Sequence, residues 1–195
     1  IGIAVVGVVA LAVVPKLFSG VSLEKYTSEE QGFSISHPKD WEVEATNEEY
    51  RTETTFTEKF DADDKSDGAT YSSQIVVEQD KATEDFMKTK ESEYFKRYGD
   101  ALREAEKEGK DDEYPDSEFP TSVELEETEV DGHPALVAEA EVDNFDSSKD
   151  EKGKQFIAFI WVSEDLQYTV SLSAHSDDAK YSDKWKSILD SFTVE

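Results

Sequence analysis

The chain has 195 residues and sets 47 Asp and Glu against 20 Lys and Arg, a formal net charge of -27. That balance excludes nucleic-acid binding, which needs clustered cations on the protein side, and it disfavours docking on anionic lipid headgroups. With no cysteine, thiol nucleophiles, zinc–thiolate sites, disulfides and a lipid-modified cysteine are excluded, while 36% hydrophobic and 11% aromatic residues are enough for the core of one domain plus an appendage.

Ile1 to Val14 is an unbroken run of Ile, Val, Ala, Leu and Gly, and no charge appears before Lys16. A soluble helix would show a polar face, and this run has none. As a helix it spans about 21 Å, whereas a bilayer core takes about 20 residues. The chain does not begin with Met, so the expectation is a transmembrane or signal-anchor helix over residues 1–20, continued upstream, that meets the membrane through residues 1–18. A cleaved signal is the first alternative, although Leu17-Phe18-Ser19-Gly20 matches a cleavage site poorly. A buried helix is the second. Residues 21–31 then read as a short polar tether, and residues 32–195 as the folded domain.

Alternation begins at Phe33, with Phe33 and Ile35 on one face of a strand and Ser34 and Ser36 on the other. His37-Pro38-Lys39-Asp40 reads as a turn delivering Trp41. Arg51 to Phe60 is Thr-rich and strand-like, Asp61 to Gly68 is a loop by composition, and Tyr71 to Glu78 is a more buried strand around Ile75-Val76-Val77. A helix is expected from an N-cap at Thr83, with Glu84 and Asp85 in the first turn, to Gly109. Met87, Tyr94, Phe95, Tyr98, Leu102 and Ala105 form its apolar stripe. The clearest hairpin joins Val123–Val130 to Pro134–Val142 through Asp131-Gly132. Phe156 to Val162 is nearly all apolar, as in a central strand, and Leu166 to Ala174 alternates. Ser176 or Asp177 caps a last helix that points Tyr181, Trp185, Ile188 and Leu189 inward. Trp41, Ile75, Val77, Phe159, Trp161, Val170, Leu172, Trp185, Ile188 and Phe192 are expected to bury together. Strands linked by short turns make a largely antiparallel sheet whose faces need helices. The class is α+β.

Gly32 to Val43, GFSISHPKDWEV, resembles the opening signature of PsbP-like domains, in which a tyrosine, here Tyr26, precedes a GFS-I-x-x-P-x-x-W strand and turn. The hairpin DGHPALVAEAEV at Asp131 to Val142, the strand pair Phe156 to Ala174 and the ending Tyr181, Trp185, Ile188, Ser191-Phe192 extend the resemblance over nearly everything after Leu23. It implies an antiparallel sheet sandwiched by helices (α/β/α), and binding or assembly without catalysis.

The three histidines give little chemistry. His37 and His133 both precede Pro and read as turn residues, and His175 follows a strand beside a cap. Neither an H-x-x-x-H pair nor a G-x-S-x-G elbow occurs. The best cation candidate is Asp61, Asp63, Asp64 and Asp67 before Gly68, carboxylates on a short loop as calcium prefers. Their spacing is not that of an EF-hand, because Ser72 or Gln74 falls where the bidentate Glu belongs. A solvated acidic turn is the competing reading, and Asp143, Asp146 and Asp150 form a second, sparser cluster. The anchor and the resemblance together point to a non-enzymatic interaction module. It would be tethered to the cell membrane by a single pass, with its acidic domain outside the cytoplasm and an unnamed protein partner. A calcium-responsive binding module is the alternative, and a hydrolase with no recognisable motif comes third.

Overall fold

The computed structural model describes residues 21–47, 51–58, 73–81, 90–109, 120–146, 151–175 and 184–195. Within them the strands are β1 (Leu23–Ser28), β2 (Phe33–Pro38), β3 (Glu42–Asn47), β4 (Arg51–Thr57), β5 (Gln74–Lys81), β6 (Pro120–Val130), β7 (His133–Asp146), β8 (Glu151–Ser163), β9 (Leu166–His175) and β10 (Thr193–Val194). The helices are α1 (Glu91–Gly109) and α2 (Trp185–Leu189). Strands β3-β4-β5-β9-β8-β7-β6 form a seven-stranded antiparallel sheet, and β1-β2-β10 form a smaller one.

The period-2 patterning explains the layers. In β8, Phe156, Ala158 and Ile160 join one apolar cluster, while Ile157, Phe159 and Trp161 join another on the opposite face. A strand covered on both faces has no polar side to show, hence the continuous apolar run. On the second face lies α1. Tyr94, Tyr98 and Leu102, one helical turn apart, and Phe95 pack against Leu125, Leu136, Phe159 and Trp161. The Tyr98 ring stacks on Phe159 at 4.1 Å. Acidic Glu91 and Glu93 open this helix and Lys107 sits in its last turn, each favourable toward the helix dipole.

The first face carries the larger cluster. Registry lines up Phe56, Ile75, Leu172 and Phe156 across four strands. Phe33, Ile35, Trp185, Ile188 and Phe192 close over that face from the small sheet and α2. Tyr168 ties the layers together: its hydroxyl donates to the Gln31 carbonyl at 2.5 Å, and Gln79 Nε2 donates to the same oxygen at 2.9 Å. Burial pushes the Tyr168 phenol above its ordinary value.

Several expectations are corrected here. Leu23–Ser28, read as part of a tether over 21–31, is a strand. It pairs along its whole length with β2, because Tyr26 has an aromatic seat against Phe56 and Phe33. Glu42–Asn47 is the edge strand β3, whose exposed side chains carry no burial pattern to read. The ten expected core residues are buried, but in two clusters, with Phe159 and Trp161 on the α1 side. The first face is covered by a second sheet as well as by a helix, so the helix-sandwich expectation holds only in part. The expected anchor over residues 1–20 and the helix starts at Thr83 and at Ser176 or Asp177 lie outside the described residues. No helix among the described residues is long and apolar enough to cross a membrane.

Candidate functional site

The site grows out of the β6–β7 hairpin. Asp131 and Gly132 both take positive φ, 51° and 76°, the left-handed pair that a tight two-residue hairpin turn requires. The turn fixes the register, and the register sets which side chains of β6 share a face. Leu125 turns to α1, so Glu124, Glu126, Thr128 and Val130 fall on the opposite face, beside Val137 and Glu139 of β7 and Phe156 of β8. The small sheet contributes no residue to the lining at this end of the face. Instead α2 supplies a wall, with Trp185 stacked on Phe156 at 5.7 Å and Leu189 beside it. Asp131 Oδ2 accepts the Val194 N–H at 2.9 Å, pinning the hairpin tip to the C-terminal strand.

The result is a groove of about 720 Å³ with an apolar wall and an acidic floor and rim. Glu124, Glu126, Glu129, Asp131, Glu139 and Asp190 line it against one lining cation, Lys186. Lys154, paired with Glu139 at 2.6 Å, offsets part of this charge next door. Its hydrogen bond to Glu139 holds the ammonium above its ordinary value, and Glu139, Glu141 and Glu124 add attraction. Such a groove can hold a cationic chain by charge and an apolar side chain by contact with Trp185 and Leu189.

A smaller polar pocket of about 250 Å³ lies between the β1–β2 turn and the β3–β4 strands. Asn47 Nδ2 donates to Glu30 there, and the buried Gln31 accepts from Thr54 Oγ1 at 2.6 Å. Gln31 Nε2 has no partner among the described residues.

The residues singled out in the sequence fall elsewhere. His37 is a core residue of β2 and is only 3% exposed, which corrects its reading as a turn residue. Its ring packs on Phe56 at 4.6 Å, with Nδ1 at 3.0 Å from the Pro38 carbonyl oxygen and Nε2 at 3.9 Å from Glu24. Burial lowers its pKa, with the Pro38 contact and Glu24 opposing. His133 heads β7, on the other sheet. The side chain of His175 and the acids Asp61, Asp63, Asp64, Asp67, Asp143, Asp146 and Asp150 lie outside the described side chains. Among the described residues no group of three His, Asp or Glu is placed to hold a metal ion. The groove itself was not singled out from sequence. Its signal is the acid at Glu124 and Glu126, alternating with Val123 and Leu125, in a strand that has one face on the core.

Architecturally the described residues form an antiparallel α+β domain with an acidic groove at a sheet edge. The chain belongs to the PsbP-like protein family, whose model matches residues 17–194. The fold is shared with the solution structure of cyanobacterial PsbP (CyanoP) from Synechocystis sp. PCC 6803, at 14% identity and a TM-score of 0.51, covering 90% of this chain and 94% of that one. It is shared equally with the Ran-binding protein Mog1p of Saccharomyces cerevisiae, at 12% identity and a TM-score of 0.50, covering 90% and 96%. No curated protein matches the sequence. At such identities the likeness shows fold alone.

Proposed function

We propose that this protein is a non-enzymatic binding module that docks a positively charged segment of a partner protein in the groove between β6–β8 and α2. The observation that carries the reading is the lining, six carboxylates (Glu124, Glu126, Glu129, Asp131, Glu139 and Asp190) around the Trp185–Leu189 wall, with Lys186 as the lining cation. Opposite charge steers encounter and sets specificity, and the apolar wall keeps water from one side of the contact. The fold has a precedent for binding a partner protein, since Mog1p is a Ran-binding protein. The apolar run of residues 1–14 supports a further part of the proposal, that the module is held on the cell membrane through residues 1–18 with its acidic domain outside the cytoplasm.

Two experiments test it. Titration of the full-length protein, in detergent micelles, with oligolysine and oligoglutamate should show binding of the first alone. That binding should weaken steeply between low and physiological salt and drop by at least about tenfold in Glu124→Gln/Glu126→Gln/Glu139→Gln. Equal binding of both peptides, or a triple variant that binds as before, refutes the groove assignment. Alkaline carbonate washing of membranes should leave the protein in the pellet, and protease added outside intact cells should digest the acidic domain. Recovery in the cytosol refutes the tether.

A further inference from the structure

The groove opens along the last strand of the seven-stranded sheet, and that position constrains how a segment enters it. β6 is bonded to β7 on one side, and among the described residues no strand pairs with its other side. Along an antiparallel strand, backbone N–H and C=O groups point alternately to the two sides, so half of those of β6 are directed at the open edge. Side chains of the same strand alternate between faces. Glu124, Glu126, Thr128 and Val130 therefore project over the groove, while Leu125 lies under α1. A chain laid along this edge would place every second side chain over the groove, directly opposite those residues.

The charge on the edge discriminates between occupants. A second copy of β6 would bring glutamates to face glutamates, which is unfavourable at cross-strand distance. Lys or Arg at the same positions would meet carboxylates, so the pattern repels self-pairing and favours a basic strand.

We propose that the docked segment binds as an eighth strand on β6. Lys or Arg at alternate positions lies over Glu124 and Glu126, and an apolar side chain lies over Val130 against Leu189. This rests on the reading that the groove takes a cationic segment and adds its geometry.

The test uses full-length protein in micelles and a peptide of about eight residues, a common strand length, with Lys alternating with Thr and Val. Two derivatives carry backbone N-methyl groups, one on the Lys amides and one on the intervening amides. In an added strand the side-chain phase fixes the amide phase, and slipping by one residue would take Lys off the glutamates. One derivative should lose about tenfold or more in affinity, as loss of edge hydrogen bonds implies, and the other should bind like the parent. If both derivatives bind like the parent, or both lose equally, strand addition is overturned while cationic docking stands. If the parent peptide fails to bind at all, the proposed function falls with it.

Discussion

Trp185→Ala probes the element that both closes the core and walls the groove. No side-chain capping bond closes the first turn of the five-residue α2, and a helix of that length does not hold itself together in water. Its position therefore depends on packing. Trp185 is 6% exposed and stacks on Phe156 with an interplanar angle of 25°, while Ile188 and Leu189 enter the same cluster. Truncating a buried aromatic to Ala removes its transfer free energy and leaves a cavity, together about 3–5 kcal/mol. At about 2–4 °C of melting temperature per kcal/mol for a chain of this size, the drop should be about 6–20 °C. Trp185→Phe keeps a ring against Phe156 and should cost about half as much or less. Urea unfolding followed by circular dichroism measures both, and oligolysine affinity of the folded fraction should fall with the wall removed. A Trp185→Ala loss under about 1 kcal/mol, or equal losses for Ala and Phe, would refute the claim that this ring anchors α2.

Further outcomes follow from charge, titration and hydrogen bonding. With a net charge of -27, melting in molar KCl should exceed melting in millimolar buffer, because the Debye length shrinks from about 30 Å at 0.01 M to about 3 Å at 1 M; an unchanged melting temperature refutes self-repulsion as a cost. Millimolar calcium added at high salt should raise the melting temperature only if Asp61, Asp63, Asp64 and Asp67 form a site, and Asp63→Asn/Asp67→Asn should then abolish the rise. His37 has a folded pKa below 6.5, so the unfolded chain takes up its proton first. Its contribution is fully present above that value and is lost as pH falls from 6.5 toward the folded pKa, and His37→Phe should remove this component from the acid side of the urea-stability profile. Thr54→Val leaves the buried Gln31 carboxamide oxygen without its 2.6 Å donor and should cost about 1–3 kcal/mol, whereas Thr54→Val/Gln31→Met should cost less because no lone acceptor remains.

Strands with one buried and one solvated face were legible because burial writes a period of two into them. Val123–Val130 and Leu166–Ala174 appear where their alternation places them, and Asp131-Gly132 marks the turn that it forms. Gly109 ends α1 as read. β3 and β1 were not legible as strands. All six residues of β3 are exposed, so there was no pattern to find, and β1 is polar apart from Leu23 and Tyr26, its pairing set by β2 across a turn. His37-Pro38 looked like turn chemistry, yet β2 runs through Pro38, the turn starts at Lys39, and the imidazole is drawn inward by Phe56 and Tyr26. The groove was half legible. Glu124 and Glu126 are plain in the sequence, but only the register of β6 on β7 and the seating of Trp185 on Phe156 show that they face a wall.

Docking of cationic segments in the groove between β6–β8 and α2 is the proposal on which the others depend. Amide chemical-shift mapping of isotope-labelled protein during titration with oligolysine tests it most directly. The largest shifts should fall on Glu124 to Val130, Val137 to Glu139 and Trp185 to Asp190, with β3 and β4 undisturbed. Shifts spread evenly over the acidic surface, or centred on the Tyr26–Gln31 pocket, would contradict it.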